Sequence, residues 1–248
     1  MLVRDQIAAA GAVLFRWRSY ILLGFLPFVL IAVSHGEQIE VAFGDLPGDI
    51  VEVLAIAMVV LGEAIRILTV GFVPNGTSGR NTTRQIATQI NTTGAYSVVR
   101  NPLYLGNCLM YLGVMLFTQS LMLALVMGLV LALYYERIIA AEEAFLSETF
   151  GQAYLDWAGR TPAFLPRPGA YRAPELPFSL RMAIRREHAS VFAAILSLYL
   201  IEVGLHAGAG TGEPIERGWH VLILVAVVAE LVILFLKKRT RVLAPRKG

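Results

Sequence analysis

The sequence predicts an all-α membrane protein with about six transmembrane helices, and three observations support this fold class. The chain of 248 residues is 56% hydrophobic and only 16% charged, whereas a soluble domain carries roughly 25% charged residues. Long apolar stretches recur along the whole sequence, and lysine and arginine concentrate in alternate connections between them. The composition therefore disfavours a soluble domain, and the net charge of +3 is too small to predict a nucleic-acid partner.

Six apolar stretches account for the expected spans, since about 20 apolar residues are needed to cross roughly 30 Å of hydrocarbon. The first combines residues 7–15 with residues 20–34, either as one helix or as an interfacial helix followed by a short span. The other five are Ile50–Val73, Leu103–Thr118, Leu121–Ala140, Ala189–His206 and Trp219–Leu236. The second, fourth and sixth stretches meet the required length, whereas the first and third are short.

The connections between these stretches predict the orientation, because cytoplasmic loops carry an excess of lysine and arginine. From the N-terminus to the C-terminal tail, the successive counts of these residues are 3, 0, 3, 0, 7, 1 and 6. The alternation places both termini and two long connections, Pro74–Asn101 and Glu136–His188, in the cytoplasm. Arg16 and Arg18 directly follow the first apolar run, so no signal peptide is expected there.

The most informative polar stretch lies at the entry to the third span. Asn101 and Pro102 are typical of a helix start, because asparagine caps well and proline suits the first helical position. The backbone amides of a helix start attract anions, and Arg100 stands beside them. Tyr104 and Asn107 are expected on a common side of the emerging helix. These groups could hold a carboxylate and a ribose, although a membrane-surface cap with an interfacial tyrosine would look the same.

A second polar stretch continues the helix of the fourth span beyond the membrane. It carries the adjacent carboxylates Glu142 and Glu143, which point to different faces because neighbours on a helix are about 100° apart. One carboxylate can face a bound cation such as a sulfonium while the other has a structural role. Considered alone, however, this stretch is more typical of a solvated amphipathic helix.

Taken together and in this order, the two stretches resemble the isoprenylcysteine carboxyl methyltransferase and phospholipid methyltransferase superfamily. The shared pattern is Gly-x-Tyr-(x)3-Arg-x-Pro-x-Tyr-x-Gly, followed by Glu-Glu-x-x-Leu-(x)3-Phe-Gly-x-x-Tyr. In this chain the pattern comprises Gly94, Tyr96, Arg100, Pro102, Tyr104, Gly106, Glu142, Glu143, Leu146, Phe150, Gly151 and Tyr154, with Arg160 and Pro166 behind them. One position departs from the family, because Asn101 stands where histidine is common and cannot titrate.

The resemblance implies a pocket for S-adenosylmethionine, built from loops and helix ends at the cytoplasmic face. The expected cofactor-binding residues are Gly94, Tyr96, Arg100, Asn101, Pro102, Tyr104, Asn107, Glu142 and Glu143. The expected catalytic residues are Arg100, Asn101 and Arg160, and no metal is expected because the histidines show no ligand spacing. The chain would divide into N-terminal membrane helices with a cytoplasmic loop (1–93), a methyltransferase core (94–166) and a C-terminal helix pair with a basic tail (167–248).

The implied reaction transfers a methyl group to an anionic lipid-linked acceptor, either a carboxylate or a lipid phosphate of the lipid A type. Such an acceptor is already ionised at neutral pH and needs no general base, which agrees with the lack of histidine in both stretches. Arg100, Arg137 and Arg160 could pair with it. The run rich in asparagine and threonine before the first stretch, together with the two later spans, resembles the bacterial branch, so a bacterial inner membrane is the expected location.

The acceptor is expected to enter the pocket sideways from the bilayer. Burying a lipid tail in hydrocarbon contributes about 0.8 kcal/mol per methylene, so drawing a long chain through water would be costly. The entrance is expected between the third and fourth spans, near Tyr104, Tyr134 and Tyr135.

Three alternatives remain open from the sequence. A phospholipid amine N-methyltransferase belongs to the same superfamily, and an NADPH-dependent isoprenoid or sterol reductase shares a related membrane architecture. A transporter or scaffold would instead use the intramembrane acids Glu63, Glu202 and Glu230. Glu63 and Arg66 stand three residues apart in the second span, a spacing more typical of a structural ion pair that packs spans together.

Overall fold

The computed structural model describes residues 3–18, 20–74, 77, 89–210 and 215–244. Within these ranges the chain is helical and contains no strand, which confirms the all-α membrane class. The α-helices are α1 (Val3–Trp17), α2 (Leu26–Ser34), α3 (Gln38–Phe43), α4 (Asp45–Phe72), α5 (Ala95–Val98), α6 (Pro102–Phe117), α7 (Leu121–Phe150), α8 (Gln152–Ala158), α9 (Leu180–Ala209) and α10 (Arg217–Arg239). Short 3-10 helices cover Ile21–Phe25 and Pro168–Ala170.

Four of these helices, α4, α7, α9 and α10, are long and apolar enough to cross a membrane. A fifth candidate pairs Gln6–Trp17 with Ile21–Ser34, but these two segments meet at 83°. The first apolar stretch is therefore not one straight helix, and of the two expectations for it the interfacial helix with a short span agrees better with this bend. The 16 residues of α6 extend over only about 24 Å at 1.5 Å per residue, so the count of six spans stays a prediction.

Helices α4 and α6 approach each other closely because glycines line their contact. A methyl group on Gly62 would lie 2.5 Å from the carbonyl oxygen of Gly106, and one on Gly106 would lie 2.7 Å from that of Gly62. Gly113 faces the carbonyl oxygen of Ala55 in the same way, at 2.6 Å. Small residues allow membrane helices to pack backbone against backbone. The pair is thus a firm support for Arg66, which lies one turn beyond Gly62.

Helices α6 and α7 form the expected hairpin, and its turn is buried. Gln119 adopts a φ of 56° in that turn, and its Oε1 accepts a hydrogen bond of 3.2 Å from the backbone amide of Glu40. Along its length, α7 packs against α1, whose Phe15 enters the hydrophobic core. The other end of α7 continues to Phe150, so the second polar stretch is helical as predicted.

The segment from Thr161 to Pro177 is rich in proline and is irregular apart from the turn at Pro168–Ala170, because proline cannot continue a helix interior. Part of the earlier connection, including Arg80 and Arg84, lies outside the described residues. The placement of both connections in the cytoplasm therefore stays a prediction.

The C-terminal helices form a separate, looser layer. Helix α9 packs against α2 and α4, whereas α10 packs mainly against α9. Within the described part of α10, Ala226 is the one buried residue. Helix α9 begins at Leu180, about two and a half turns before the predicted start of the fifth span at Ala189.

Candidate active site

The first polar stretch is held in place by backbone hydrogen bonds to the proline-rich segment. The amide of Gly94 donates to the carbonyl oxygen of Arg172 at 2.9 Å, and the amide of Arg100 donates to that of Pro162 at 2.8 Å. Gly94 has a φ of 60°, a conformation that glycine adopts at little cost. The glycine of the family pattern therefore has a local structural reason, and the segment that follows α8 closes over the stretch.

Asn101 begins α6 as expected, but its side chain does not cap the helix. Its Nδ2 instead donates to the carbonyl oxygen of Ala163 at 2.9 Å. The expected capping role is wrong, because the proline-rich segment offers this amide a carbonyl acceptor. Pro102 occupies the first helical position and is buried, as predicted.

Two polar contacts join the two predicted stretches. The hydroxyl of Tyr104 donates to Oε1 of Glu142 at 2.7 Å. On the neighbouring face of α7, Oε1 of Glu143 lies 2.8 Å from Nη2 of Arg100. The adjacent carboxylates therefore take different partners, as the angle of about 100° between helical neighbours predicts. The structure brings these four expected site residues together at one end of the α6–α7 hairpin.

The guanidinium of Arg100 is anchored but keeps one free donor. Its Nη1 donates to the carbonyl oxygen of Ala158 at 2.7 Å. Within the described part of the chain, Nε of Arg100 and Nε1 of Trp157 are buried without a hydrogen-bond partner. An unsatisfied buried donor costs roughly 1–3 kcal/mol. Both groups are therefore suited to an acceptor from a bound molecule, such as a carboxylate.

Tyr154 lies in α8 beside the same groups, and its ring packs on Trp157 with 5.6 Å between the ring centroids. Burial raises the pKa of Tyr154, and the negative charge of Glu143 raises it further, whereas Arg100 lowers it. The hydroxyl therefore stays protonated at physiological pH and can donate a hydrogen bond.

Asn107 lies one turn beyond Tyr104 and joins a second polar group. Its side chain lies near the hydroxyl of Tyr135, and its Oδ1 accepts a hydrogen bond from Nη1 of Arg66. The ring of Tyr135 packs against that of Tyr104, with 4.9 Å between the centroids. The predicted common side of Tyr104 and Asn107 is confirmed, because both contact Tyr135.

Arg66 is a neighbour of the site that the sequence did not predict in this role. Its Nε donates to Oε2 of Glu187 at 2.9 Å, whereas the expected partner Glu63 lies at 4.0 Å. Glu187 was expected in a cytoplasmic connection but is 3% exposed within α9. Its ion pair with Arg66 allows the helix to bury this charge. The position of Arg66 within an apolar span indicated that it needs a partner, but the sequence did not show that this partner is Glu187, 121 residues away.

Arg18 was also missed as a neighbour of the site. Its guanidinium carbon lies 3.9 Å from the ring centroid of Phe15. The positive charge of Arg18 is also close enough to the carboxylate of Glu142 to interact with it. Its carbonyl oxygen accepts a hydrogen bond of 3.3 Å from the hydroxyl of Tyr134. The N-terminal helix thus contributes to the same end of the molecule as the two stretches.

Two arginines that were expected to hold an anionic acceptor do not join this cluster. Arg160 is exposed, and its Nε donates to the carbonyl oxygen of Asp156 at 3.0 Å. The Nη1 of Arg137 donates to the carbonyl oxygen of Leu133 at 2.8 Å. Each arginine donates to the carbonyl oxygen of the residue four positions earlier. Of the three arginines expected to bind an anionic acceptor, Arg100 is the one that lies in the cluster.

The tyrosines expected around a lipid entrance are buried instead. Tyr134 and Tyr135 are 5% and 4% exposed, and their ring centroids are 5.1 Å apart. Phe15 of α1 belongs to the same hydrophobic cluster. Tyr134 and Tyr135 therefore do not open towards the bilayer, because α1 packs along α7, and an entrance between α6 and α7 stays a prediction.

The residues that join the two polar stretches lie within a part of the chain that resembles a known protein family. Residues 51–153 match the family model described as phospholipid methyltransferase. This stretch, which is less than half of the chain, is similar to that family. The match includes α4, α6, α7 and the contacts of Glu142 and Glu143, and it confirms the resemblance predicted from the sequence. Members of this family are S-adenosylmethionine-dependent integral membrane methyltransferases.

Several curated proteins are similar to part of the chain. The chain is 40% identical over 87 residues to a nickel-cobalt-cadmium resistance protein of Alcaligenes xylosoxydans xylosoxydans, which covers 35% of this chain and 40% of that protein. It is 43% identical over 81 residues to a cobalt-zinc-cadmium resistance protein of Cupriavidus metallidurans, and the match covers 33% of this chain and 37% of that protein. It is 32% identical over 75 residues to the protein-S-isoprenylcysteine O-methyltransferase of Schizosaccharomyces pombe, and the match covers 30% of this chain and 32% of that protein.

The chain spans about two fifths or less of the length of these three relatives. No solved structure matches the chain.

Proposed function

We propose that this protein transfers a methyl group from S-adenosylmethionine to an anionic lipid-linked acceptor at the cytoplasmic face of the membrane. The acceptor would be a carboxylate or a lipid phosphate, such as that of lipid A. The observation that carries the proposal is the meeting of Arg100 with Glu143 and of Tyr104 with Glu142, inside the stretch that is similar to the phospholipid methyltransferase family.

The residues of this cluster fit the cofactor in charge and in hydrogen-bonding capacity. Nε of Arg100 and Nε1 of Trp157, unpartnered among the described residues, match the carboxylate of the methionine portion. Glu142 and Glu143 can accept hydrogen bonds from its ammonium group or from ribose hydroxyls, and carboxylates favour a nearby cationic sulfur. The hydroxyl of Tyr154 supplies a further donor.

The remaining residues of the proposed cofactor site have supporting roles. Gly94 and Tyr96 belong to the loop and short helix that the proline-rich segment closes over. Asn101 fastens that segment to the start of α6. Pro102 fixes the first turn of α6, and Asn107 links that helix to Arg66 of α4. Such packing holds the binding groups in one geometry, which is what a positioned reaction requires.

When bound, S-adenosylmethionine supplies an electrophilic methyl group, which a nucleophile attacks in line with the departing sulfur. The protein would contribute by orienting the acceptor and by excluding water. Arg100 would attract the anionic acceptor, because an arginine pairs well with carboxylate or phosphate oxygens. The rings of Tyr104 and Tyr135 would keep water out. An ionised acceptor has no proton to lose, so an amide at Asn101 is compatible with the reaction.

Ligand-dependent thermal unfolding of the purified full-length protein tests the cofactor. S-adenosylhomocysteine should raise the unfolding midpoint, because a ligand at 100 times its Kd stabilises the folded state by about 2.7 kcal/mol. NADPH at the same concentration should not. The Glu143→Gln variant should lose the stabilisation, whereas Glu148→Gln, an exposed position on the same helix, should keep it. Stabilisation by NADPH but not by S-adenosylhomocysteine would instead support the reductase.

A further inference from the structure

An apolar groove with a volume of about 310 Å³ lies between α4, α9 and α10. Helix α9 lines it from Leu180 to Ile195, and α10 lines it from Leu222 to Ile233. At 1.5 Å per residue the groove follows α9 for about 22 Å. This length is most of the hydrocarbon core of a bilayer, which is about 30 Å thick. Ile67 of α4 closes its inner side. The groove thus runs along helices that are themselves candidates to cross the membrane.

The three ionisable side chains that line the groove already have partners. Glu187 accepts a hydrogen bond of 2.9 Å from Nε of Arg66. Nδ1 of His188 donates to Oε2 of Glu230 at 2.9 Å, and Nζ of Lys237 donates to Nε2 of the same histidine at 3.0 Å. Charges at membrane depth are normally paired in this way. Because these groups satisfy one another, the surface that remains for an occupant is hydrocarbon.

One end of the groove is strongly basic. Helix α9 begins and α10 ends on this side, since the two helices run in opposite directions and share the groove. The basic residues of these two helix ends are Arg181, Arg185, Arg186, Lys237, Lys238, Arg239 and Arg241. Arg185 and Arg186 donate to the carbonyl oxygens of Leu243 and Thr77. The exposed Arg181, Lys238 and Arg239 add positive charge at this end, and basic clusters beside membrane helices attract anionic lipids.

We propose that this groove binds one hydrocarbon chain of an anionic phospholipid, whose phosphate lies against the basic end. An apolar channel along membrane helices matches an acyl chain, and a basic rim matches a phosphate. The volume falls within the usual range of ligand pockets, roughly 300–1,000 Å³. Helices α9 and α10 lie outside the residues that match the family model, so the groove is built largely by the C-terminal pair.

The groove has a direct structural link to the candidate active site. Glu187 lines the groove and bonds to Arg66, and Arg66 in turn bonds to Asn107 of α6. The lipid would therefore lie one ion pair away from the stretch that is similar to the phospholipid methyltransferase family. The inference does not depend on methyl transfer, because lipid binding can be measured without any cofactor.

Photo-crosslinking in vesicles tests the proposal. The full-length protein is reconstituted into phosphatidylcholine vesicles that contain a phosphatidylglycerol with a diazirine on one acyl chain. After irradiation, the labelled residues are mapped by mass spectrometry. We expect labels to concentrate on groove-lining residues of α9 and α10, rather than on exposed residues such as Val228. The same diazirine on phosphatidylcholine should label the groove roughly fivefold less, the effect of about one basic residue near an anionic lipid.

A matched pair of variants separates the groove from the general lipid surface. Ala229→Trp fills the groove and should remove the labels on α9, whereas Val228→Trp, on the adjacent outward position of α10, should keep them. Ile195→Trp is a second filling variant if Ala229→Trp does not fold. Equal labelling of groove and outer positions, unchanged by either filling variant, would overturn the proposal. Equal labelling by both lipids would overturn the anionic headgroup.

Discussion

The contact between α4 and α6 and the contact between α9 and α10 represent two ways of packing helices in one chain. In the first, Gly62 and Gly106 bring the two backbones together so closely that neither position has room for a methyl group. In the second, Ala226 is the one buried residue of the described part of α10, and a groove of about 310 Å³ remains. The difference indicates that the rigid pair supports the candidate active site, whereas the loose pair leaves space for lipid.

One group of charges connects the two regions. Arg66 stands on α4 beside the tight contact, and its two hydrogen-bonding partners lie on α6 and α9. Ser190 of α9 adds a hydrogen bond of 2.9 Å to Oε2 of Glu63. The position of the C-terminal pair is therefore set by polar contacts with α4, and substitutions at these contacts test how strongly the two regions depend on each other.

The largest effect is expected when Arg66 is replaced. Arg66→Met removes the cation that donates to the buried carboxylate of Glu187, and breaking a buried ion pair typically costs about 3–5 kcal/mol. Denaturant unfolding in detergent micelles should register it as a loss of folding stability. Replacing both residues, Arg66→Met with Glu187→Met, should recover most of the stability, because no unpaired charge remains between them. A single variant as stable as the original chain would show that the ion pair does not hold the two regions together.

The next effect concerns affinity for the cofactor. Glu142→Gln replaces the charged acceptor that is proposed to bind the ammonium group or the ribose hydroxyls of the cofactor, and hydrogen bonds to charged groups contribute about 1.5–3 kcal/mol. The Kd for S-adenosylhomocysteine should therefore rise about 10- to 100-fold, as measured by isothermal titration calorimetry. Glu148→Gln provides the control on the exposed side of the same helix. Unchanged affinity in Glu142→Gln would remove this carboxylate from the site.

The close contact between α4 and α6 can be tested by making the same glycine-to-alanine substitution at two positions, one inside the contact and one outside it. Gly106→Ala places a methyl group 2.7 Å from the carbonyl oxygen of Gly62, and overpacking of this kind costs about 1–3 kcal/mol. Gly128→Ala makes the same change on α7, where the methyl group would meet Leu112 at 3.5 Å. The unfolding free energy should therefore fall in the first variant and stay within about 0.5 kcal/mol in the second. Equal losses in both would argue against a close α4–α6 approach.

The smallest effect is expected at the contact between α4 and α9. Ser190→Ala removes the hydrogen bond to the carboxylate of Glu63 and should lower the unfolding free energy by about 1.5 kcal/mol, the lower end of the range for hydrogen bonds to charged groups. Ser197→Ala, two turns along α9, is the matched control. If both serine variants behave alike, the bond at Ser190 contributes nothing specific to the docking of α9.

The local patterns of the sequence predicted most of the helices and the direction of individual side chains. The spacing of Glu142 and Glu143 on one helix correctly implied different partners. The family pattern correctly brought Arg100 and Tyr104 to the same end of the hairpin. Both outcomes follow from positions close together in the chain or from the hairpin that joins the two helices.

The contacts that the sequence could not predict join residues far apart in the chain. The amide of Asn101 bonds to Ala163, 62 residues later, and Arg66 bonds to Glu187, 121 residues later. Periodicity shows which face of a helix is apolar, but it does not show which other segment covers that face. For the same reason the sequence placed the start of the fifth span after Glu187, since a lone glutamate is costly in a membrane until its arginine is known.

The most direct test of the proposed reaction is transfer of a radioactive methyl group into lipid. The purified protein, reconstituted with a bacterial inner-membrane lipid extract, is incubated with S-adenosylmethionine labelled on its methyl group, and the lipids are separated by headgroup charge. We predict label in an anionic lipid fraction for the original chain and for Glu148→Gln, and none for Glu143→Gln. Label confined to amine-bearing lipids would contradict the anionic acceptor. A protein that binds S-adenosylhomocysteine but labels no lipid would contradict the proposed methyl transfer to lipid.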